Sequence, residues 1–224
     1  MTGRSPLIKI CCMQSAAEAE LAARYGAAAV GLVSAMPSGP GPIPDSLIAE
    51  IVPRVPAGVA TFLLTSRRDA AGIADQVRRL GPSTVQIVDR PERGCRRALR
   101  AALPALRIVQ VVHVTGAGAV DEALDAAPEV DALLLDSGNP ALAVKELGGT
   151  GRTHDWATSR RIVDAVRVPV WLAGGLTAGN VAAAIAAVRP WGVDVCSGIR
   201  TGGRLDEEKL AAFVSEVRKA SLQK

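Results

Sequence analysis

The sequence predicts an α/β fold, a single (β/α)8 or TIM barrel spanning residues 1–224, on three observations. Eight short apolar runs occur, each followed by a longer run with helical spacing, and such alternation implies a parallel sheet. The apolar residues are mostly aliphatic, with aromatics only 3% of the chain, as parallel strands covered on both faces prefer. A length of 224 residues suits eight such units closing on themselves. No G-x-G-x-x-G follows the first strand, which argues against an open dinucleotide-binding sheet.

The elements follow in order. Leu7 to Cys12 reads as the first strand, and Ala16 to Tyr25 as a helix closed by Gly26. Ala28 to Ser34 is the second strand; a Pro/Gly-rich loop, Met36 to Pro44, leads to a helix from Asp45 to Val52. Val59 to Leu64 precedes a helix from Asp69 to Leu80 stopped by Gly81-Pro82. Thr84 to Val88 precedes an arginine-striped helix from Glu92 to Ala102. Arg107 to Val112 and a helix from Val120 to Ala126 come next, then Ala132 to Asp136, a glycine-rich loop and a helix from Trp156 to Val166. Val168 to Leu172 precedes a helix from Ala178 to Val188, and Val193 to Cys196 precedes the last helix, Glu207 to Lys219.

The formal net charge is +4, compatible with an anionic substrate but silent on fold. Arg93, Arg96, Arg97 and Arg100 form one helical stripe, read as a solvated face. Without interleaved aromatics it does not read as a nucleic-acid patch, so no nucleic-acid partner is expected. Cys11, Cys12, Cys95 and Cys196 include no C-x-x-C pair, and only His113 and His154 are available beside them, so no metal site is expected. The start lacks a long apolar leader segment and no run is long enough to span a bilayer. A cytoplasmic protein with reduced thiols is the expectation; whether it is a monomer or a homodimer stays open.

In this fold, chemistry sits at the C-terminal ends of the strands. Lys9 and Cys11 share one face of the first strand and Cys12 the other. A lysine does not sit well against the helix layer, so Lys9 and Cys11 are expected inside the barrel and Cys12 outside, packed as a small hydrophobe. The ammonium should help ionise Cys11 and make it a better base. Asp194 has the parity of Cys196 on the last strand, which closes against the first, so a Lys9–Asp194 ion pair is expected. Cys196 next to Cys11 suggests a disulfide between those two. Asp136, after Leu133-Leu134-Leu135, is either a catalytic carboxyl or a helix cap. Gly174-Gly175 and Ser197-Gly198 follow strands seven and eight, where a phosphate site often forms from backbone N–H groups. Gly148-Gly149-Thr150-Gly151 lacks the lysine of a phosphate loop and reads as a lid.

These residues together resemble the phosphoribosylanthranilate isomerase family of tryptophan biosynthesis. Lys9-Ile10-Cys11 is similar to its Lys-Ile-Cys-Gly opening, and Leu134-Leu135-Asp136 to its strand-six acid. Gly148 to Trp156 is similar to its Gly-Gly-Thr-Gly loop and helix start; Leu172-Ala173-Gly174-Gly175-Leu176, Asn180-Val181 and Gly192-Val193-Asp194-Val195 match further motifs. The resemblance covers almost the whole chain. It implies an Amadori rearrangement of an N-(5'-phosphoribosyl) amine, with Asp136 as general acid, Cys11 as general base, phosphate held at Gly174, Gly175, Ser197 and Gly198, and no cofactor. The departures lie on the aglycone side. Gly41 stands near the place of an arginine for the anthranilate carboxylate, and the family's Gln-Leu-His-Gly reads Gln86-Ile87-Val88-Asp89, so the histidine is replaced by Val88. Either Arg67, Arg90 or Arg200 compensates, or the substrate is another phosphorylated sugar or N-glycoside. A non-catalytic barrel binding a phosphorylated ligand is the third reading.

Overall fold

A computed structural model describes residues 5–148 and 151–222. Eight parallel strands close into a barrel in sequence order: β1 (Leu7–Ile10), β2 (Ala29–Val33), β3 (Ala60–Thr65), β4 (Thr84–Ile87), β5 (Arg107–His113), β6 (Ala132–Asp136), β7 (Val170–Leu172) and β8 (Gly192–Val195). Helices α1 (Ala16–Arg24), α2 (Asp45–Ile51), α3 (Ala70–Leu80), α4 (Cys95–Ala102), α5 (Ala119–Ala126), α6 (Trp156–Ala165), α7 (Val181–Val188) and α8 (Glu207–Leu222) follow the strands in turn. A short hairpin missed in the sequence, β9 (Arg200–Thr201) and β10 (Arg204–Leu205), separates β8 from α8. Among the described residues, no helix is long and apolar enough to cross a membrane.

Local chemistry sets the helix ends. Ser15, Asp69 and Asp155 accept N–H bonds from the first turns of α1, α3 and α6. Gly81, at φ 69°, ends α3 in the left-handed conformation that glycine adopts without strain. The expected starts of α4 and α7 move later: Gly94 turns the chain at φ 79° before α4, and residues 177–180 form a turn braced by the Thr177 N–H to Asn180 Oδ1 bond of 2.8 Å.

The core has two parts. One fills the space between strands and helices, with Ile10, Leu32, Ile48, Ile73, Leu99 and Phe213 among its fully buried members. The other fills the barrel interior, from Ala29, Phe62 and Val109 up to Cys11 and Ala173. Burying aliphatic side chains on both strand faces supplies most of the drive, at roughly 25 cal/mol per Å² of apolar surface.

Barrel interiors stack in layers, with alternate strands contributing to each. Here the strand registers give Lys9, Phe62, Val109 and Trp171 in one layer. Lys9 Nζ lies 5.3 Å from the Phe62 ring centre and the Phe62 and Trp171 rings are 6.0 Å apart, as shared height requires. Above it come Gly31, Gln86, Leu134 and Asp194, then Cys11, Leu64, Val111 and Ala173, and at the mouth Val33, Val88, Asp136 and the neighbourhood of Cys196.

Arg93 and Arg97 of the arginine stripe are exposed as expected, while Arg96 is largely covered. Arg96 and Arg97 both pair with Glu129, at 3.0 and 2.5 Å, and Arg100 with Asp131 at 2.7 Å, tying α4 to the segment that leads into β6.

Candidate active site

Lys9 is fully buried and its Nζ lies 2.7 Å from Asp194 Oδ2, in register across the β1–β8 seam. The ion pair expected from strand parity is present. Burial disfavours the ammonium, but Asp194 and the Cys11 thiol outweigh it and hold the Lys9 pKa above its ordinary value. Burial raises the Asp194 carboxyl against the pull of Lys9. Its second oxygen, Oδ1, is buried with no hydrogen-bond partner.

Cys11 sits above this pair. Glycine at 31 makes room for it: a Cβ there would stand 2.7 Å from Cys11 Sγ and 3.2 Å from Lys9 Nζ. Lys9 does favour the thiolate, as expected, but burial outweighs it and pushes the Cys11 thiol up to about 11. The expected net activation by the ammonium is therefore absent, because the same closed core that holds Lys9 also keeps water from the sulfur.

Asp136 ends β6 and lines the same cavity as Cys11. It caps no helix: its Oδ1 accepts the Ser137 N–H at 2.7 Å. Burial raises its pKa, which keeps the carboxyl protonated to higher pH than an ordinary aspartate. Gly148 closes over it, and a Cβ on Gly148 would stand 2.6 Å from Asp136 Oδ2.

Gly174, Gly175 and Ser197 line the cavity wall. The glycines take φ of 83° and 61°, and Asn180 braces their turn through its Nδ2 bond of 2.9 Å to Gly175 O. Gly198 lies behind them; a Cβ there would meet Leu176 O at 2.0 Å, so close backbone packing requires this glycine. Beside the turn, His154 bonds Ser159 Oγ at 2.7 Å and burial lowers its pKa to about 4, so it is neutral.

Three expectations about cysteines are corrected. Cys12 does not face outward: β1 ends at Ile10, and Cys12, at φ 64°, turns back into the cavity lining. The disulfide joins Cys12, not Cys11, to Cys196, with Cα atoms 6.0 Å apart, inside the ordinary range for a bridge. Cys11 and Cys95 are free, so the expectation of four reduced thiols also fails. The family motif places glycine after the strand-one cysteine; here Cys12 stands in that place, at φ 64°. The substitution explains Gly41: a Cβ there would stand 2.7 Å from Cys12 Cβ and 2.9 Å from its sulfur. The two departures are one rearrangement, in which the bridge takes the space beside the second loop.

None of the proposed arginines compensates inside the cavity. Arg200 is committed to Glu18 at 3.0 Å and to the carbonyls of Cys11 and Cys12. Arg90 pairs with Glu122 at 3.2 Å, and Arg67 lines a separate groove beside Ser34 and Thr65. Among the described residues, no cationic side chain lines the cavity. The nearest device at the rim missed in the sequence is Lys145, paired with Asp89 at 2.5 Å, whose carbonyl also accepts the Ser38 hydroxyl. That contact joins the second and sixth loops over the mouth. Beneath them the cavity is about 70 Å³, far below the several hundred Å³ of a typical ligand site, so substrate entry requires the loops to part. Gly148 and Gly151 of the expected lid border it; Gly149 and Thr150 lie outside the described residues.

The family model for N-(5'phosphoribosyl)anthranilate (PRA) isomerase matches residues 8–216. The N-(5'-phosphoribosyl)anthranilate isomerase of Methanocella arvoryzae is 34% identical over 212 residues, covering 94% of this chain and 97% of that protein. The solved phosphoribosyl anthranilate isomerase of Thermotoga maritima superposes with a TM-score of 0.80 at 26% identity, covering 96% of this chain and 99% of the other. A phosphoribosyl anthranilate isomerase structure in complex with reduced 1-(o-carboxyphenylamino)-1-deoxyribulose 5-phosphate shares the fold, with a TM-score of 0.77 at 24% identity over 96% of this chain and 99% of that one. With its motifs in order along a closed barrel and a family match over nearly its whole length, the chain belongs to the phosphoribosylanthranilate isomerase family.

Proposed function

We propose that this chain isomerises N-(5'-phosphoribosyl)anthranilate to the 1-amino-1-deoxyribulose 5-phosphate product, with Asp136 as general acid and Cys11 as general base. The observation that carries this reading is that the thiol at the end of β1 and the carboxyl at the end of β6 line one cavity. The glycine turn and Ser197 lie on the wall of that cavity, where a phosphate would bind. Asp136, whose pKa burial raises above that of an ordinary aspartate, gives its proton to the ring oxygen as the C1'–O4' bond breaks, leaving an iminium at C1'. Cys11 then takes the C2' proton, and the C–H electron pair forms the C1'–C2' double bond of the enolamine. The positive iminium beside the sulfur favours the thiolate, countering the burial that holds the thiol protonated in the empty cavity. Ketonisation adds a proton at C1' and releases one from O2'.

One observation favours a second reading of the aglycone. With no cationic side chain lining the cavity among the described residues, a ring without a carboxylate fits as well as anthranilate. Losing one charge-assisted contact costs about 1.5–3 kcal/mol. The test is to mix the purified protein with N-(5'-phosphoribosyl)anthranilate and follow loss of its fluorescence, with N-(5'-phosphoribosyl)aniline in parallel by product analysis. Turnover of the first supports the main reading. Turnover of the aniline compound alone moves the aglycone, and turnover of neither overturns the isomerase.

A further inference from the structure

Gln86 is a buried polar side chain with no structural task. It sits in the middle of β4, is 3% exposed, and faces the barrel interior, where it lines the candidate cavity. Its Oε1 is buried with no hydrogen-bond partner, and no described residue bonds its Nε2. Other buried amides, outside the barrel interior, are spoken for: Gln76 bonds Thr65 and Asp45, and Gln110 bonds the carbonyls of Ile87, Asp89 and Val111. A buried amide left unpaired in the empty protein is costly, and a ligand that completes it removes that cost.

The strand registers place Gln86 in the layer of Gly31 and Asp194. Asp194 faces it from the opposite strand and also has an unpartnered buried oxygen, Oδ1. Gly31 supplies no side chain, and the Cys11 sulfur occupies the space over it. The interior layer below that of Cys11 therefore carries an unused amide on β4 and an unused carboxylate oxygen on β8. Cys11, Gln86 and Asp194 all line the one cavity.

Resting on the isomerase reading above, we propose that Gln86 is a substrate-binding residue that holds the oxygen on C2', the carbon that passes from carbinol to carbonyl. An amide suits an oxygen whose role changes: Oε1 accepts from the O2' hydroxyl before enolisation, and Nε2 donates to the ketone oxygen afterwards. Asp194 Oδ1, an acceptor, adds selectivity for the hydroxyl form. Because the site is built to pair with a hydroxyl, an analogue without it leaves buried polar groups unsatisfied and is rejected.

The test uses Gln86→Leu and, as a flexible replacement of similar length, Gln86→Met. Binding is read by calorimetry with the reduced product analogue, which carries a C2' hydroxyl, and with its 2-deoxy counterpart. The expected result is about a tenfold loss of affinity for the hydroxylated analogue and no change for the 2-deoxy one, erasing the preference of the unmutated protein. Melting temperatures of both variants are expected at or above that of the unmutated protein, since no internal hydrogen bond is lost. Equal weakening of both analogues, an unchanged preference, or a lowered melting temperature in both variants would overturn the proposal and give Gln86 a structural role. Turnover of N-(5'-phosphoribosyl)anthranilate and of its aniline counterpart by the unmutated protein is measured alongside; absence of both would sink the isomerase reading separately.

Discussion

Replacing Lys9 by methionine tests the physics at the barrel floor. The side chain is fully buried, its ammonium 2.7 Å from Asp194, which is itself 6% exposed. Methionine keeps the apolar stem against Phe62 but leaves a buried carboxylate without its cation. Breaking one side of such a pair costs about 3–5 kcal/mol. At about 2–4 °C per kcal/mol for a chain of this size, the melting temperature should fall by roughly 6–20 °C. The loss should depend on pH with a definite sign. Burial already raises the Asp194 carboxyl, and without Lys9 nothing opposes it. A carboxyl whose folded pKa exceeds the unfolded value of about 3.9 holds its proton in the native state, so its contribution is present below that pH and lost as pH rises through the folded value. Lys9→Met should therefore lose stability relative to the parent by up to about 1.4 kcal/mol per pH unit over that interval. The double variant Lys9→Met/Asp194→Leu removes the orphaned charge and should recover most of the loss. Urea melts between pH 5 and 8 measure all three proteins. A single variant within 1 kcal/mol of the parent, or a double variant no better than the single, would refute the reasoning.

Three further outcomes follow from the cysteines. With the Cys11 thiol held at about 11, only about a thousandth is thiolate at pH 8, so alkylation by iodoacetamide should be slow and rise about tenfold per pH unit to beyond pH 10; peptide mass spectrometry reads it, and a plateau below pH 9 would contradict the burial argument. Denatured without reductant, the chain should show two titratable thiols, Cys11 and Cys95, and four after reduction. Cys196→Ser should lower stability by up to about 5 kcal/mol, since the bridge closes a loop with a sequence separation of 184; an unchanged urea midpoint would count against the bridge.

What could be read from the sequence, and what could not, divides along backbone geometry. β6 was legible to the residue because three leucines and a terminal aspartate leave no other reading of its ends. Strand parity placed Lys9 and Asp194 together because both lie within regular extended backbone. The same parity misplaced Cys12, two residues past the end of β1, where a φ of 64° reverses the side chain and parity no longer applies. Gly41 looked like a lost arginine; only the packing of its Cα on Cys12 shows why a side chain is excluded there. The net effect on Cys11 was misjudged because charge proximity is legible in sequence and the depth of burial is not. Gln86 carries a readable signal, a polar residue of inward parity in mid-strand. Lys145 carried none, since its meeting with Asp89 depends on how the sixth loop folds across the mouth.

The proposed rearrangement requires a proton donor and a proton acceptor sharing one cavity. The most direct measurement is kcat for Cys11→Ala and Asp136→Asn on N-(5'-phosphoribosyl)anthranilate, with the affinity of each for the reduced product analogue. Each kcat should fall by about 10²–10⁴-fold while affinity stays within a few fold of the parent. A variant that keeps kcat within tenfold, or that loses turnover only by losing the analogue, would contradict the assignment of acid and base.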